Sequence, residues 1–535
     1  MRKYLFVVPI ILAVLSLLLG SCSTPATTPA ATTTTAKPTT PATTTTPAPT
    51  TATPKYGGTL KYADPFFPAA NIGWIPDANW GGPTSYIFLE PLLRVDAKGS
   101  ISPWLATKWE VSSDLKSVTL TLRQGVKFHD GSDFNATVAK WNLDQLLNAK
   151  SSAFADVNSV DIVDNYTIRL NMKNYTNMIL STLGDRFFMV SKAAFDAHGG
   201  GDAAISWMRL NPVGTGPFKL VSFTPGVSIK GVKFDGYWQK GLPYLDSIEM
   251  TGIGDPMTRA QSFLAGEQDM VAGDLTKVEY DLSQKGFPID YKYFLAIACL
   301  VPDSKNPNSP LSNIKVRQAI DYAIDRDAIV NALGYGFWPA TSQWAVPGNP
   351  AYVTDLSPRA YNPDKAKQLL TEAGYPSGFK TQILGNSVTT NKDAMSAIQG
   401  YLSKVGITVD INMVDNASYN NMILKGWDGF AAASKSINVN MNSSINVNWS
   451  QLSIQNFSLA KPDDFQALYQ ASAASPEYNP ALVQKVIRYM YDNAMVTPLY
   501  AVSRGYNLQP YLHGLDLCNN ISAMYWGTAT AWTSK

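Results

Sequence analysis

An α/β fold with several sheets is what the sequence predicts, and three observations carry that prediction. Short segments alternate apolar and polar residues at the period of a half-buried strand. Between them lie longer segments that repeat on one helical face and end in cap residues. The composition is that of a chain with a core, 45% hydrophobic and 16% charged. In chain order, Val118, Leu120 and Leu122 alternate with Thr119, Thr121 and Arg123, a strand. Val316, Ile320, Ile324 and Val330 share a face and predict one helix from about Ser312 to Gly334. Asn362-Pro363-Asp364 offers an N-cap followed by proline at the first helical position, and Gly374 stops that helix. Asn391 opens another, through Met395, Ile398 and Leu402 to Gly406, and Ile407-Thr-Val-Asp-Ile-Asn-Met413 alternates again as a strand. No internal repeat is present, and 535 residues suffice for two to four domains of ~100–200 residues each.

Charge and cysteine usage exclude several function classes. Lys plus Arg number 43 against 41 Asp plus Glu, which rules out a partner bound mainly through a nucleic-acid backbone. Cysteines at 22, 299 and 518 without a CxxC pair exclude a disulfide scaffold and a thiolate zinc site. With 13 Trp and 26 Tyr among so few charges, some aromatic rings are expected to line a binding surface.

The first 55 residues read as a leader and a tether. Arg2 and Lys3 precede an almost wholly apolar stretch, Tyr4 to Leu19, which is short of the ~20 residues of a spanning helix and reads as a signal peptide over 1–21. Leu19-Gly20-Ser21-Cys22 resembles the lipobox of bacterial lipoproteins. That resemblance implies a lipidated Cys22 at the mature N-terminus; the alternative is an ordinary signal peptide followed by a chance cysteine. Residues 24–54 contain only Thr, Pro, Ala and Lys37, so nothing there repays the entropy of folding. Its prolines bias this tether, 22–55 with the cysteine, toward a polyproline II spacer of up to ~100 Å. The expected location is extracytoplasmic, held by lipid on the outer face of the cytoplasmic membrane. After Leu19 no apolar run is long enough to span a bilayer.

Catalytic motifs are incomplete. His198-Gly199-Gly200-Gly201 matches an esterase oxyanion signature, but no Gly-x-Ser-x-Gly elbow accompanies it. Ser113-Asp-Leu-Lys116 lacks the SDN and KTG partners of a serine–lysine acylase. His129 has no zinc-type spacing to His198 or His513 and is read as structural. Gly214-Thr215-Gly216-Pro217 is too short for GxGxxG and lacks a P-loop lysine. Neither an enzyme nor a cofactor or metal site is expected.

Seven collinear stretches resemble a known family. They are Glu90-Pro-Leu-Leu-Arg94, Trp104-Leu-Ala-Thr-Lys-Trp-Glu110, Leu122-Arg-Gln-Gly-Val-Lys-Phe-His-Asp-Gly131, Asn211-Pro-Val-Gly-Thr-Gly-Pro-Phe-Lys219, Val316-Arg-Gln-Ala-Ile-Asp-Tyr-Ala-Ile-Asp-Arg326, Tyr361-Asn-Pro-Asp-Lys-Ala-Lys-Gln-Leu-Leu370 and Thr497-Pro-Leu-Tyr500. Together they are similar to the family 5 extracellular solute-binding proteins, the dipeptide, oligopeptide and nickel receptors of ABC importers. The resemblance implies the type II periplasmic binding protein fold in its large three-domain form, two lobes on a hinge. Domain I would comprise 56–88, 212–302 and 503–535, domain II 89–211 and domain III 303–502. The chain would cross between lobes near Cys299–Lys305 and Tyr500–Arg504. A monomer that closes on a solute and presents it to an ABC permease is implied; a receptor or peptide chaperone without transport is the alternative, and nucleic acid is not a partner.

At the solute site the sequence departs from the family. Peptide receptors carry an aspartate soon after the strand that corresponds to the one starting at Trp427-Asp428, and that aspartate grips the peptide α-ammonium. Here Ser434-Lys435-Ser436-Ile437-Asn438 stands in its place, with no carboxylate before Asp463. Asn438, Asn440, Asn442, Asn446 and Asn448 crowd the same region. Ser434, Lys435 and Asn438, with Lys392 as a carboxylate partner and Trp74, Trp80, Trp344 and Trp449 as aromatic platforms, are the expected solute contacts. They suit a polar neutral solute, an oligosaccharide or a peptide held by its backbone. Without His in 380–450, nickel or haem is disfavoured. Whether Cys299 and Cys518 pair stays open.

Overall fold

The computed structural model describes residues 53–65, 67–68, 70–76, 82–96, 100–290, 294–515, 517–520 and 523–535. The expected leader, Cys22 with most of the expected tether, Trp80 and the side chain of Cys518 therefore lie outside the described residues. From Pro54 to Lys535 the chain packs as one unit.

Two mixed sheets organise it. Across the seven-stranded sheet the order is Phe218–Thr224, Ser228–Lys233, Ser247–Gly252, Thr59–Asp64, Met270–Gly273, Gly505–Leu508 and Ile289–Asp290. Across the five-stranded sheet it is Ile407–Val414, Phe379–Asn386, Phe430–Ser436, Phe294–Pro302 and Thr497–Ser503. In the first, Thr59–Asp64 runs parallel to Ser247–Gly252 and Met270–Gly273. In the second, Phe379–Asn386 runs parallel to Ile407–Val414 and Phe430–Ser436. A four-stranded antiparallel sheet built from Ala106–Val111, Ser117–Leu122, Thr167–Met172 and Val157–Asp164 packs on the helix Ala136–Asn148.

The five-stranded sheet is covered on both faces, which explains the near-continuous apolar run in Phe294–Pro302. Ile297, Cys299 and Val301 meet the helices Met441–Trp449, Asp463–Ala473 and Pro480–Asp492. Leu300, Ile383 and Leu499 meet the helices Ile314–Ala323, Pro363–Glu372 and Lys392–Ser403. Cys299 is a buried free thiol.

Caps place the helices where the sequence predicts them, with one exception. Asn362 accepts from the Lys365 N–H at 2.9 Å and Asn391 from the Ala394 N–H at 2.9 Å. The single helix expected over 312–334 is instead two, Ile314–Ala323 and Arg326–Leu333. Ile324 is extended, Asp325 caps the second helix through the Ala328 N–H, and Arg326 turns inward to Asp321 at 2.9 Å and the Pro498 carbonyl at 2.7 Å. Arg359 reaches the other oxygen of Asp321 at 2.7 Å, so one buried carboxylate holds two guanidiniums.

The motifs that mimic catalysis are joints. His198 stacks on Trp207 with ring centroids 3.6 Å apart, and the glycines after it turn the chain between two helices. His129 is buried: its Nε2 lies 2.9 Å from the Gly216 carbonyl and must donate there, while Nδ1 accepts from the Gly214 N–H. Gly214 passes so close to Phe88 that a Cβ would stand 2.2 Å from the Phe88 carbonyl oxygen, which no other residue accommodates. Glu90 is buried under four donors, Trp104 and Trp238 indoles, the Tyr237 hydroxyl and the Thr215 hydroxyl, at 2.7–3.0 Å. These contacts fasten segment 88–131 to segment 214–238.

The chain crosses between the two large sheets twice. The first crossing lies earlier than expected: Ile289–Asp290 belongs to the seven-stranded sheet, and all of Phe294–Pro302 belongs to the five-stranded one. Burial of Ile297 to Val301 between two helix layers draws the whole of 294–302 into that lobe. The second crossing is Arg504, between Thr497–Ser503 and Gly505–Leu508. Its guanidinium is held to Asp64 at 3.1 Å and lies 3.6 Å from Asp274.

Candidate functional site

Sheet register locates the cleft. In open sheets with parallel strands, ligands bind beyond the carboxyl ends of those strands. Ser436, the carboxyl end of Phe430–Ser436, pairs with Ala296 just after the first crossing. Gly273, the carboxyl end of Met270–Gly273, pairs with Gly505 just after the second. The carboxyl ends of the parallel strands in both sheets therefore lie at the end of each sheet where the chain crosses. Asp64, Arg504 and Asp274 stand on one rim; Asn386 and the segment Ser436–Asn438 stand on the other.

Beside this rim the two sides touch through a buried, neutral polar seam. Asn177 precedes the helix Met178–Asp185 and is 3% exposed. Its backbone N–H donates to the Ala473 carbonyl at 2.8 Å and its Nδ2 to the Ser472 carbonyl at 2.9 Å. Its Oδ1 accepts from Asn440 Nδ2 and from Asn442 Nδ2, both at 3.2 Å. The Tyr175 hydroxyl donates to the Pro476 carbonyl at 2.6 Å. Adjoining the seam is a cavity lined by Asp156, Thr182, Asp185 and Arg186 from one side and by Asn438 and Asn446 from the other. Partial burial raises the Asp156 carboxyl above its usual range, with the Asn174 hydrogen bond and the Lys173 charge opposing. Burial, reinforced by Asp156, pushes up the Tyr469 phenol. A second contact brings Tyr280 within 5.8 Å of Tyr335 between ring centroids.

The structure disposes of the expected solute contacts unevenly. Asn438 lines the cavity, and its carbonyl accepts from Asn349 Nδ2 at 3.3 Å. Ser434 is exposed on its strand, and Lys392 is exposed in the first turn of a helix that follows the carboxyl end of Phe379–Asn386. Lys435 points into the protein, donates to Gln455 Oε1 at 3.1 Å, and has its pKa lowered by burial. The three expected tryptophans among the described residues do not offer open faces. Trp74 is stacked on Phe195 in a hydrophobic core, and Trp344 and Trp449 pack edge to face at 4.8 Å with exposures of 1% and 0%. Their large apolar area is what draws them inward. Sequence reasoning missed Asn177, Tyr175 and Ser472; the crowd of asparagines at 438–448 marked one half of the seam, but no local pattern marks the other. Among the described residues no cluster of His, Cys, Asp or Glu is placed to hold a metal ion, and no helix is long and apolar enough to cross a membrane.

Comparison with known proteins agrees with this geometry. Residues 100–457 match the model of the bacterial extracellular solute-binding proteins, family 5 Middle. The glutathione-binding protein GsiB of Salmonella typhi is 32% identical over 354 residues, which cover 61% of this chain and 64% of that relative, just under two thirds of its length. In solved structures, DppA from Helicobacter pylori in complex with the peptide STSA superposes with a TM-score of 0.73 at 24% identity, covering 90% of this chain and 99% of that one. NikA from Brucella suis in complex with Fe(III)-EDTA gives 0.76 at 23%, covering 89% and 100%. At these identities the likeness establishes the fold, the type II periplasmic binding protein form.

Proposed function

The chain belongs to the bacterial extracellular solute-binding proteins of family 5, and we propose on that premise that it is the extracytoplasmic solute-binding component of an ABC importer. The observation that carries this reading is the pair of rims: carboxyl ends of parallel strands from two sheets, brought together at two chain crossings. A solute between them makes contacts to both lobes only when the lobes are closed, so binding shifts the population toward closure. The closed pair of lobes is then what a permease recognises. No bond is made or broken. In this scheme domain I and domain II form one lobe and domain III the other, and the chain acts as a monomer.

The solute we propose is polar and neutral, or a peptide held by its backbone. The region from Gly429 to Pro462 contains no carboxylate, so it offers no opposite charge to a buried ammonium. Asn438, Ser434 and Lys392 supply hydrogen-bonding groups on that rim; Trp344, Trp449 and Lys435 support the segment from behind. Native mass spectrometry of the purified chain, followed by denaturation to identify what was carried, tests this. A single non-peptide mass agrees with it. A heterogeneous set of short peptides, bound through free α-ammonium groups, would overturn the neutral-solute part.

We further propose that Cys22 is lipidated and that residues 24–54 tether the lobes to the membrane. Replacing Cys22 with alanine is expected to move the chain from the membrane fraction to the soluble one. Retention in the membrane fraction would exclude a lipid at this residue.

A further inference from the structure

We infer that the asparagine seam is a latch that supplies part of the free energy of closure from within the chain, so that a fraction of the solute-free protein is already closed. It rests on two-lobe closure but on no particular solute and on no transport step.

Every polar group of the Asn177 side chain is used, and its partners lie in the segments 440–442 and 472–477 of the other lobe. Those partners are themselves fixed in place. Asn440 caps the helix Met441–Trp449 by accepting from the Asn442 N–H at 3.1 Å. The cap occupies its Oδ1, which leaves Nδ2 directed at Asn177. Asn442 accepts from the Ser472 hydroxyl at 2.9 Å, so its Nδ2 also faces Asn177. Asn177, Asn440, Asn442 and Ser472 are all buried. A preorganised socket on one lobe thus receives Asn177 from the other, with the Tyr175 hydroxyl on the Pro476 carbonyl and the Ser181 hydroxyl 3.4 Å from Asn440 Nδ2 beside it.

The chemistry suits repeated opening. The seam is built from amides, hydroxyls and carbonyls, whose transfer to and from water costs far less than that of an ion pair. Each neutral hydrogen bond changes an equilibrium by roughly 2- to 12-fold. Several together favour closure while keeping opening within reach of thermal motion. The solute then need not supply all of the closing free energy, and its apparent affinity follows the closed fraction that the latch sets.

The test uses the full chain, shown by its intact native mass to carry no solute, with spin labels at exposed Lys150 and Leu452 and pulsed-resonance distance measurement. The wild type is expected to show a resolved short-distance population beside a longer one. Asn440→Ser keeps a hydroxyl acceptor for the helix cap and removes the amide donor across the seam without adding a charge; it is expected to raise the open-to-closed ratio about tenfold. Tyr175→Phe, which removes only the hydroxyl bonded to Pro476, should act in the same direction and serves if the first variant folds poorly. A solute-free wild type with no short-distance population, or distance distributions unchanged in both folded variants, would overturn the latch. Failure of import would leave it standing, because no solute enters the measurement.

Discussion

His129 illustrates how burial turns a titratable side chain into a joint. Its ring is neutral, donating from Nε2 and accepting at Nδ1, and burial lowers its pKa from 6.5 to about 4. A depressed pKa means that the folded state resists the proton the unfolded state accepts. The stabilisation is present above pH 6.5 and is lost as pH falls through 4, an amount of about 3 kcal/mol. Urea unfolding of the wild type and of His129→Asn at pH 7 and pH 4 reads this directly. The stability gap between the two proteins should shrink at the lower pH; a gap independent of pH would refute the buried neutral imidazole. Glu90 works with the opposite sign. Burial raises its pKa to about 7 against four hydrogen bonds that oppose the rise, so its contribution is greatest below pH 4.5 and is lost as pH rises through 7. At this scale the sequence was partly legible. A histidine without partners reads as structural, whereas Trp344 and Trp449 look the same in sequence whether they face a solute or each other.

Elements were legible where their own residues close them. Asn362 with Pro363, and Asn391, announce helices through side chains that cap locally. The break at Ile324 was not legible, because Val316, Ile320, Ile324 and Val330 keep a helical face through it. What breaks the helix is tertiary: Arg326 must reach Asp321 and the Pro498 carbonyl, and Asp321 must also serve Arg359. That triad carries two positive charges for one negative, all buried, with carbonyls of Asp321, Pro498 and Tyr491 completing the guanidinium hydrogen bonds. Asp321→Asn removes the sole carboxylate and leaves both guanidiniums without their counter-charge. A loss of about 3–5 kcal/mol is expected, measurable as a lowered urea midpoint with an unchanged slope. A loss below ~1 kcal/mol would show that the carbonyls alone satisfy the two arginines. The first crossing was misplaced for a related reason: the apolar run 294–302 reads equally well as a strand of either sheet.

At the scale of the whole molecule, the seven-stranded sheet draws on distant parts of the chain. Gly505–Leu508 lies between Met270–Gly273 and Ile289–Asp290, pairing with both, and Arg504 brings its charge to Asp64 at the end of Thr59–Asp64. No local signal predicts that a strand so near the C-terminus stands inside a sheet begun at residue 59; the family resemblance implied it, and composition and periodicity do not. The arrangement makes the two ends of the chain unequal. Deleting residues 1–53 removes nothing from the unit that begins at Pro54. Deleting everything after Ser503 removes Arg504, strips Met270–Gly273 of one neighbour, detaches Ile289–Asp290 altogether and leaves the buried Asp64 carboxylate without its guanidinium. The first truncation is expected to melt within a degree or two of the full chain, since its ΔΔG is near zero. The second should lose the cooperative transition of the lobe built on that sheet, because a buried carboxylate stripped of its guanidinium and two unsatisfied strand edges exceed the few kcal/mol by which domains are stable. Calorimetry of the two truncations separates these outcomes. A C-terminal truncation that kept the full melting enthalpy would show that the sheet closes without its late strand, and that the second crossing is not a structural member of the hinge.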